Sequence, residues 1–170
     1  MKRFITIIAI ILATAIIGVS SLVLIRTANT PAPVASVVEE VKPPAVAELL
    51  TLVNAERARV GVAPLAIDER LNQSAQFKSD DILARNYFAH KDPITGKNNG
   101  IAKGAELTGT VCSSIGENIT DNIYTNDSQT AVRAWRNSPP HYAAMIDPNN
   151  DTTGFGIAGT KITQHFCQLR

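Results

Sequence analysis

Several chemistries are missing from this chain of 170 residues. It has no glycine-rich phosphate loop and no CxxC pair, so nucleotide binding and a zinc ribbon have no foothold. It also lacks an HExxH helix, the signature of a large class of zinc hydrolases. Neither sign of charge is in excess. The net charge of +1 argues against a nucleic-acid partner or an acidic substrate. Histidine is scarce, with three residues, and cysteine scarcer, with two. No internal repeat is visible. The chain is nevertheless 45% hydrophobic, enough for one domain of ordinary size.

The apolar residues are unevenly spread. No charge occurs from Phe4 to Ile25, "FITIIAIILATAIIGVSSLVLI". At about 1.5 Å per residue, a helix of this length spans a hydrocarbon core of roughly 30 Å. Lys2 and Arg3 precede the run and Arg26 follows it. Residues 1–3 are therefore expected in the cytoplasm, with 4–25 as an uncleaved transmembrane signal anchor. A cleaved signal peptide is the alternative, giving a secreted protein that begins near Ser36. Its apolar region should be only about 7 to 15 residues, however. Either way the rest is extracytoplasmic. Residues 26–44 are rich in Pro, Ala, Val and Thr and read as a semi-rigid linker. Residues 45–170 read as the exported domain.

Both cysteines, Cys112 and Cys167, fall in that domain, each within strand-like sequence. Export favours a disulfide, which would close a loop of about 56 residues and stabilise by roughly 4 kcal/mol. Two independent buried thiols are the alternative. Neither cysteine has an adjacent cation to activate it as a nucleophile.

Periodicity then orders the domain. Val46, Leu49, Leu50, Val53, Ala58 and Val60 form one helical stripe, stopped at Gly61. Asp68 caps a second helix bearing Leu71, Ala75, Ile82 and Leu83, which runs to about Asn86. A polar, Gly-containing stretch with one short helix follows. "CSSIGENIT" alternates as a strand, with Ile115, Glu117 and Ile119 on one face. A third helix begins at Asn126-Asp127-Ser128 and carries Ala131, Val132 and Trp135. Two final strand-like runs, "TGFGIA" and "KITQHFCQL", flank Gly159-Thr160 as a hairpin. The order predicts an α+β domain rather than a βαβ repeat.

Three residues in this frame could carry chemistry. Ser138 precedes two prolines, so the third helix must end near Asn137 and a new short one can start at Pro139. His141 then sits in its first turn, where the helix dipole disfavours imidazolium. Glu117 interrupts an apolar strand face, and a buried carboxylate needs a partner. If that strand is an edge, Glu117 can instead be simply solvated. His90 closes "RNYFAH", with Tyr87 and Phe88 expected to bury the corner and leave His90 at its lip. His165 alternates with the core-like Ile162, Gln164 and Phe166 and reads as a surface residue of a strand. Asn118, opposite Glu117, reads as structural.

The motifs "LLTLVNAERARVGVAPLAIDERLNQSAQ", "NYFAHKDP", "IGENIT", "AWRNSPPHYAAMIDP", "GFGIA" and "TQHFC" follow one another in a familiar order. Together they resemble the CAP superfamily in its bacterial form. This is the SCP domain shared by cysteine-rich secretory, antigen 5 and pathogenesis-related 1 proteins. The resemblance covers residues 45–170. It implies an α-β-α sandwich with a central antiparallel sheet and a shallow cleft. In animal and plant members, two histidines and two glutamates line that cleft and can hold a divalent cation. By resemblance the histidines fall on His90 and His141 and one glutamate on Glu117. Ser138 stands where the other glutamate would be. Two imidazoles and one carboxylate still suit a zinc-type ion, held more weakly than by four ligands.

Three functions are compatible with this set. The first is a ligand-binding or interaction module, taking a small ligand, lipid, peptide or cell-wall component. The second is a metal-dependent, peptidase-like hydrolase, with His90 and His141 as ligands and Glu117 as base or third ligand. The third is a structural envelope protein. The family's fold alone does not choose among them.

Overall fold

In the computed structural model, which describes residues 44–122 and 127–170, the chain alternates helices and strands around one sheet. The expected anchor at 4–25, nearly all of the linker, and Asn126 lie outside the described residues. Among the described residues, no helix is long and apolar enough to cross a membrane.

Helix α1 (Val46–Arg59) leads to the two-residue strand β1 (Ala66–Ile67) and then to α2 (Glu69–Ala84) and α3 (Asn99–Thr108). Strand β2 (Cys112–Asp121) precedes α4 (Ser128–Arg136) and α5 (Pro139–Met145), and the chain closes with β3 (Thr152–Ala158) and β4 (Lys161–Leu169). The helix starts follow capping chemistry. The side chains of Asp68, Asn98 and Asp127 each accept a backbone N–H in the first turn of α2, α3 and α4.

The sheet order is β1-β3-β4-β2. Strands β2, β4 and β3 pair antiparallel, whereas β1 runs parallel to β3 through Ala66↔Thr152 and Ile67↔Thr153. The expected all-antiparallel sheet is therefore mixed. A long crossover from α2 to α5 separates the parallel pair, as such pairing requires, and Asp68 starts α2 before β1 can lengthen.

Helices cover both faces. On one lie Ile115, Glu117 and Ile119 of β2, then Thr163, His165 and Cys167 of β4, then Gly154 and Gly156 of β3. A Cβ on Gly154 would come within 2.2 Å of the Leu71 and Asn72 backbone, so only glycine lets α2 lie this close. Helix α3 packs beside α2 on the same side. The opposite face carries the main core, in which Phe155, Ile162 and Phe166 meet Leu49, Val53, Ala131, Trp135 and Met145 from α1, α4 and α5. The result is a three-layer α-β-α sandwich.

Two local expectations are revised. Ala58 and Val60 do not continue the buried stripe of α1, where Glu56 and Arg57 are buried instead. Arg57 is accommodated because backbone carbonyls satisfy it: Ala63 accepts from Nε, Met145 and Asp147 from Nη1, and Asn150 from Nη2. On α2, Leu83 is exposed, and the buried face is Leu71, Ser74, Ala75, Lys78, Ser79 and Ile82, half of it polar. Gly61 does stop α1, with φ of 73°. Cys112 and Cys167 are joined in a disulfide across β2 and β4.

Candidate functional site

Among the described residues β2 is an edge strand of the sheet, and the three residues singled out in the sequence gather beside it. Glu117 reaches this point from the α2/α3 face of the strand. Its side chain is 1% exposed, so it is not solvated despite the edge position. Three donors meet it: His90 Nδ1 at 2.8 Å and Asn98 Nδ2 at 2.9 Å on Oε1, and His165 Nε2 at 2.9 Å on Oε2. Burial pushes its carboxyl up, but the hydrogen bonds from His165 and His90, the field of His165 and the Asn98 amide outweigh this and hold it at about 2. A carboxylate only accepts, so the nitrogens facing it, Nδ1 of His90 and Nε2 of His165, carry protons.

His90 lies on the connection between α2 and α3 with its side chain 44% exposed. A polar frame, not the aromatic pair, holds this connection. Phe88 is exposed, contrary to the expected burial of that corner. The fully buried Lys78 donates from Nζ to the His90 carbonyl at 2.8 Å, to Tyr87 Oη at 3.1 Å and to Asn99 Oδ1 at 3.2 Å. Tyr87 Oη in turn donates to Asp81 at 2.5 Å. Asp92 accepts from the Ile94 and Thr95 N–H groups and pairs with Arg85. Burial pulls the Lys78 ammonium down, opposed by the charges of Glu117, Asp81 and Asp92.

His141 comes from the other layer. α4 ends at Arg136, Ser138 is extended, and Pro139 and Pro140 open α5, so His141 stands in the first turn as expected. Ser138 makes no side-chain cap, so the prolines rather than its hydroxyl define this start. Asn118, on the face of β2 opposite Glu117, donates to the His141 carbonyl at 3.0 Å. One strand thus orients both histidines, through Glu117 on one side and Asn118 on the other. The two rings lie 5.9 Å apart between centres, inclined at 56°. Burial lowers the pKa of His141, and His90 lowers it further, which favours a neutral ring.

The structure brings His90, Glu117 and His141 to one place, while Ser138 contributes no ligand there. It also adds a residue that the sequence reading put elsewhere. His165 is fully buried, not a surface residue, because α2 covers the face that alternation marks as outer. Its Nδ1 lies 2.7 Å from Ser74 Oγ of α2. Lys78, Ser74, Asn98 and His165 were all missed in the sequence. The signal available was the α2 face, where Ser74 and Lys78 recur at helical spacing with Leu71, Ala75 and Ile82.

A divalent cation can be tested against this donor set. Two ring nitrogens on one zinc-type ion place their ring centres roughly 5 Å apart, and the observed separation is 5.9 Å. Glu117 does not point a free oxygen at that spot, since both of its oxygens hold protein donors. Among the described residues, no three His, Cys, Asp or Glu side chains form a metal-binding group. The fit is to two imidazole ligands with Glu117 behind one of them.

Residues 50–169 match the profile of the cysteine-rich secretory protein family, CAP. YkwD of Bacillus subtilis (strain 168) is 36% identical over 121 residues, covering 70% of this chain and 45% of its own length. The B. subtilis membrane protein YlbC is 30% identical over 119 residues, 70% of this chain and 33% of its own length. The chain thus spans less than half the length of these curated relatives. Among solved structures, an extracellular protein containing an SCP domain from Bacillus anthracis str. Ames superposes with a TM-score of 0.64 at 25% identity, over 72% of this chain and 40% of that one.

Proposed function

The chain belongs to the cysteine-rich secretory protein family, and from that premise we propose that it is an extracytoplasmic binding module. Its ligand contacts the His90–His141 pair beside β2. One observation carries this reading: Glu117 is fully engaged by His90, Asn98 and His165, which leaves the imidazoles of His90 and His141 side by side with neither ring's outer nitrogen taken by Glu117. Neither His90 Nε2 nor the His141 ring has a hydrogen-bond partner among the described residues. A ligand offering a hydrogen-bond donor, or a divalent cation that itself recruits an anionic or carbonyl group, suits such a pair. When bound, the cation supplies a Lewis-acidic contact. His90 and His141 hold it, and Glu117 fixes the His90 ring from behind. Hydrolysis with Glu117 as the base has less support, because both of its oxygens already accept hydrogen bonds from the protein.

Export and tethering rest on the apolar run 4–25, its basic flanks and the disulfide, a bond of oxidising compartments. The membrane protein YlbC and the extracellular SCP protein point the same way. On this proposal the apolar segment 4–25 tethers the domain to the outer side of the cell membrane.

Zinc titration of the full chain in detergent, followed by calorimetry, tests the site. One weakly bound ion per chain is expected, lost in His90→Ala and in His141→Ala. In Glu117→Gln, affinity should fall by about 10- to 100-fold. Binding that is absent, or indifferent to both histidine changes, would remove the cation from the proposal. Sequencing the mature N-terminus tests the tether, which fails if the protein begins near Ser36.

A further inference from the structure

We propose that His165, with Ser74, is a positioning residue that fixes the ring state of His90 through Glu117. This deepens the reading of the His90–His141 pair as the ligand site and rests on it.

One row of residues crosses the sheet at this point. Glu117 of β2, His165 of β4 and Gly154 of β3 are direct cross-strand partners and share a face. Because position 154 is glycine, α2 settles onto this row, and Ser74 Oγ comes 2.7 Å from His165 Nδ1. The ring's other nitrogen then points along the row at Glu117 Oε2, 2.9 Å away. Both groups are shut off from water, with side chains 0% and 1% exposed. A carboxylate so buried holds its place only if each oxygen keeps a donor. His165 serves the inner oxygen, which turns Oε1 outward to His90 and Asn98.

Packing brings α3 against the same oxygen. A Cβ on Gly100 would lie 2.7 Å from Glu117 Oε2 and 2.9 Å from Lys78 Cβ, so Oε2 rests against bare backbone where only glycine fits. The outward oxygen decides which His90 nitrogen is protonated. Neutral histidine in water prefers the proton on Nε2. Here Glu117 demands it on Nδ1 and so leaves Nε2 of the half-exposed ring as an acceptor or ligand. The chain runs Ser74, His165, Glu117, His90, from the buried helix to the surface.

Ring ¹⁵N shifts report the tautomer directly, without any ligand. At pH 8 the full chain in detergent should show His90 as the Nδ1–H form. In His165→Leu, which keeps the volume but removes both polar contacts, His90 should shift mainly to Nε2–H and zinc affinity should fall by about tenfold. His165→Gln, whose amide can donate to Glu117 and meet Ser74, should restore the Nδ1–H form, a rescue that simple core filling does not provide. Ser74→Ala deletes one hydroxyl only and should give a measurable Nε2–H fraction, and it decides the matter if His165→Leu does not fold. His90 remaining wholly Nδ1–H in folded His165→Leu or in Ser74→Ala would overturn the proposal. Wild type that shows the Nδ1–H form and the expected shifts, yet binds no zinc, would sink the cation reading and leave this inference standing.

Discussion

At the scale of single residues, the carboxylate of Glu117 concentrates the site's energetics. Its pKa stands at about 2 in the folded protein, against 4.5 for a free glutamate side chain. A depressed acid stabilises the fold above its unfolded pKa, and that contribution disappears as pH falls through the folded value. Stability should therefore drop on acidification from about pH 4.5 to about pH 2, by on the order of 3 kcal/mol from this group. Urea denaturation in that window checks it, and a Glu117→Gln variant should show a flatter acid limb. An unchanged limb would mean that His90 and His165 do not hold the charge. Gly100→Ala is a steric companion. Its methyl meets Glu117 and Lys78 well inside normal contact, so a cost of about 1–3 kcal/mol is expected in the same assay. Glu117 was visible in the sequence because a charge interrupts an alternating apolar face. His165 was not, because alternation marks one face of a strand as core and the other as solvent. That inference fails for a sheet covered on both sides, where the second face is a core of its own.

At the scale of elements, α2 does more than its apolar pattern suggests. Its inner face supplies Ser74 and Lys78 to the site. Farther round, Asn72 and Gln76 reach the outer edge of β3. Strand β1 pairs only with Thr152 and Thr153, so among the described residues the rest of that edge has no strand neighbour. Asn72 Oδ1 accepts the Phe155 N–H at 2.8 Å, and Gln76 accepts from Ile157 N at 2.9 Å while donating to its carbonyl at 2.9 Å. Two amides one helical turn apart thus stand in for a missing strand. Asn72→Ala with Gln76→Ala should lose about 2–4 kcal/mol, since each change strands a backbone group, and should favour self-association through the bared edge. Chemical denaturation and sizing by light scattering check both, and a monomer of unchanged stability would show the amides to be dispensable. The helices and strands themselves were readable from caps and periodicity. The short parallel β1 was not, because two residues carry no period. Nor was the fate of Arg57, whose burial depends on carbonyls some ninety residues away.

For the whole molecule, the long-range ties decide how the two layers of helices stay registered on one sheet. Arg57 binds the turn after α5 to α1, and the disulfide binds the start of β2 to the end of β4. Cys167 lies opposite Ile115, two residues along from His165 on the same face, and packs with Leu71 of α2. Reduction therefore acts in two ways. It releases a closure of 55 residues, worth roughly 4 kcal/mol in the unfolded chain, and it loosens the packing beside the row that carries Glu117 and His165. Against an ordinary domain stability of about 5–15 kcal/mol, the first effect alone should lower the urea midpoint sharply. The second should appear even where the reduced protein remains folded, as partial loss of the fixed His90 ring state. Denaturation with and without dithiothreitol measures the one, and ring ¹⁵N shifts of the reduced, folded protein measure the other. A midpoint that ignores reductant would show that the bond constrains nothing the sheet does not already fix. A lowered midpoint with an unaltered His90 ring would confine the disulfide to global stability and leave Ser74, Gly100 and Lys78 as the site's own support.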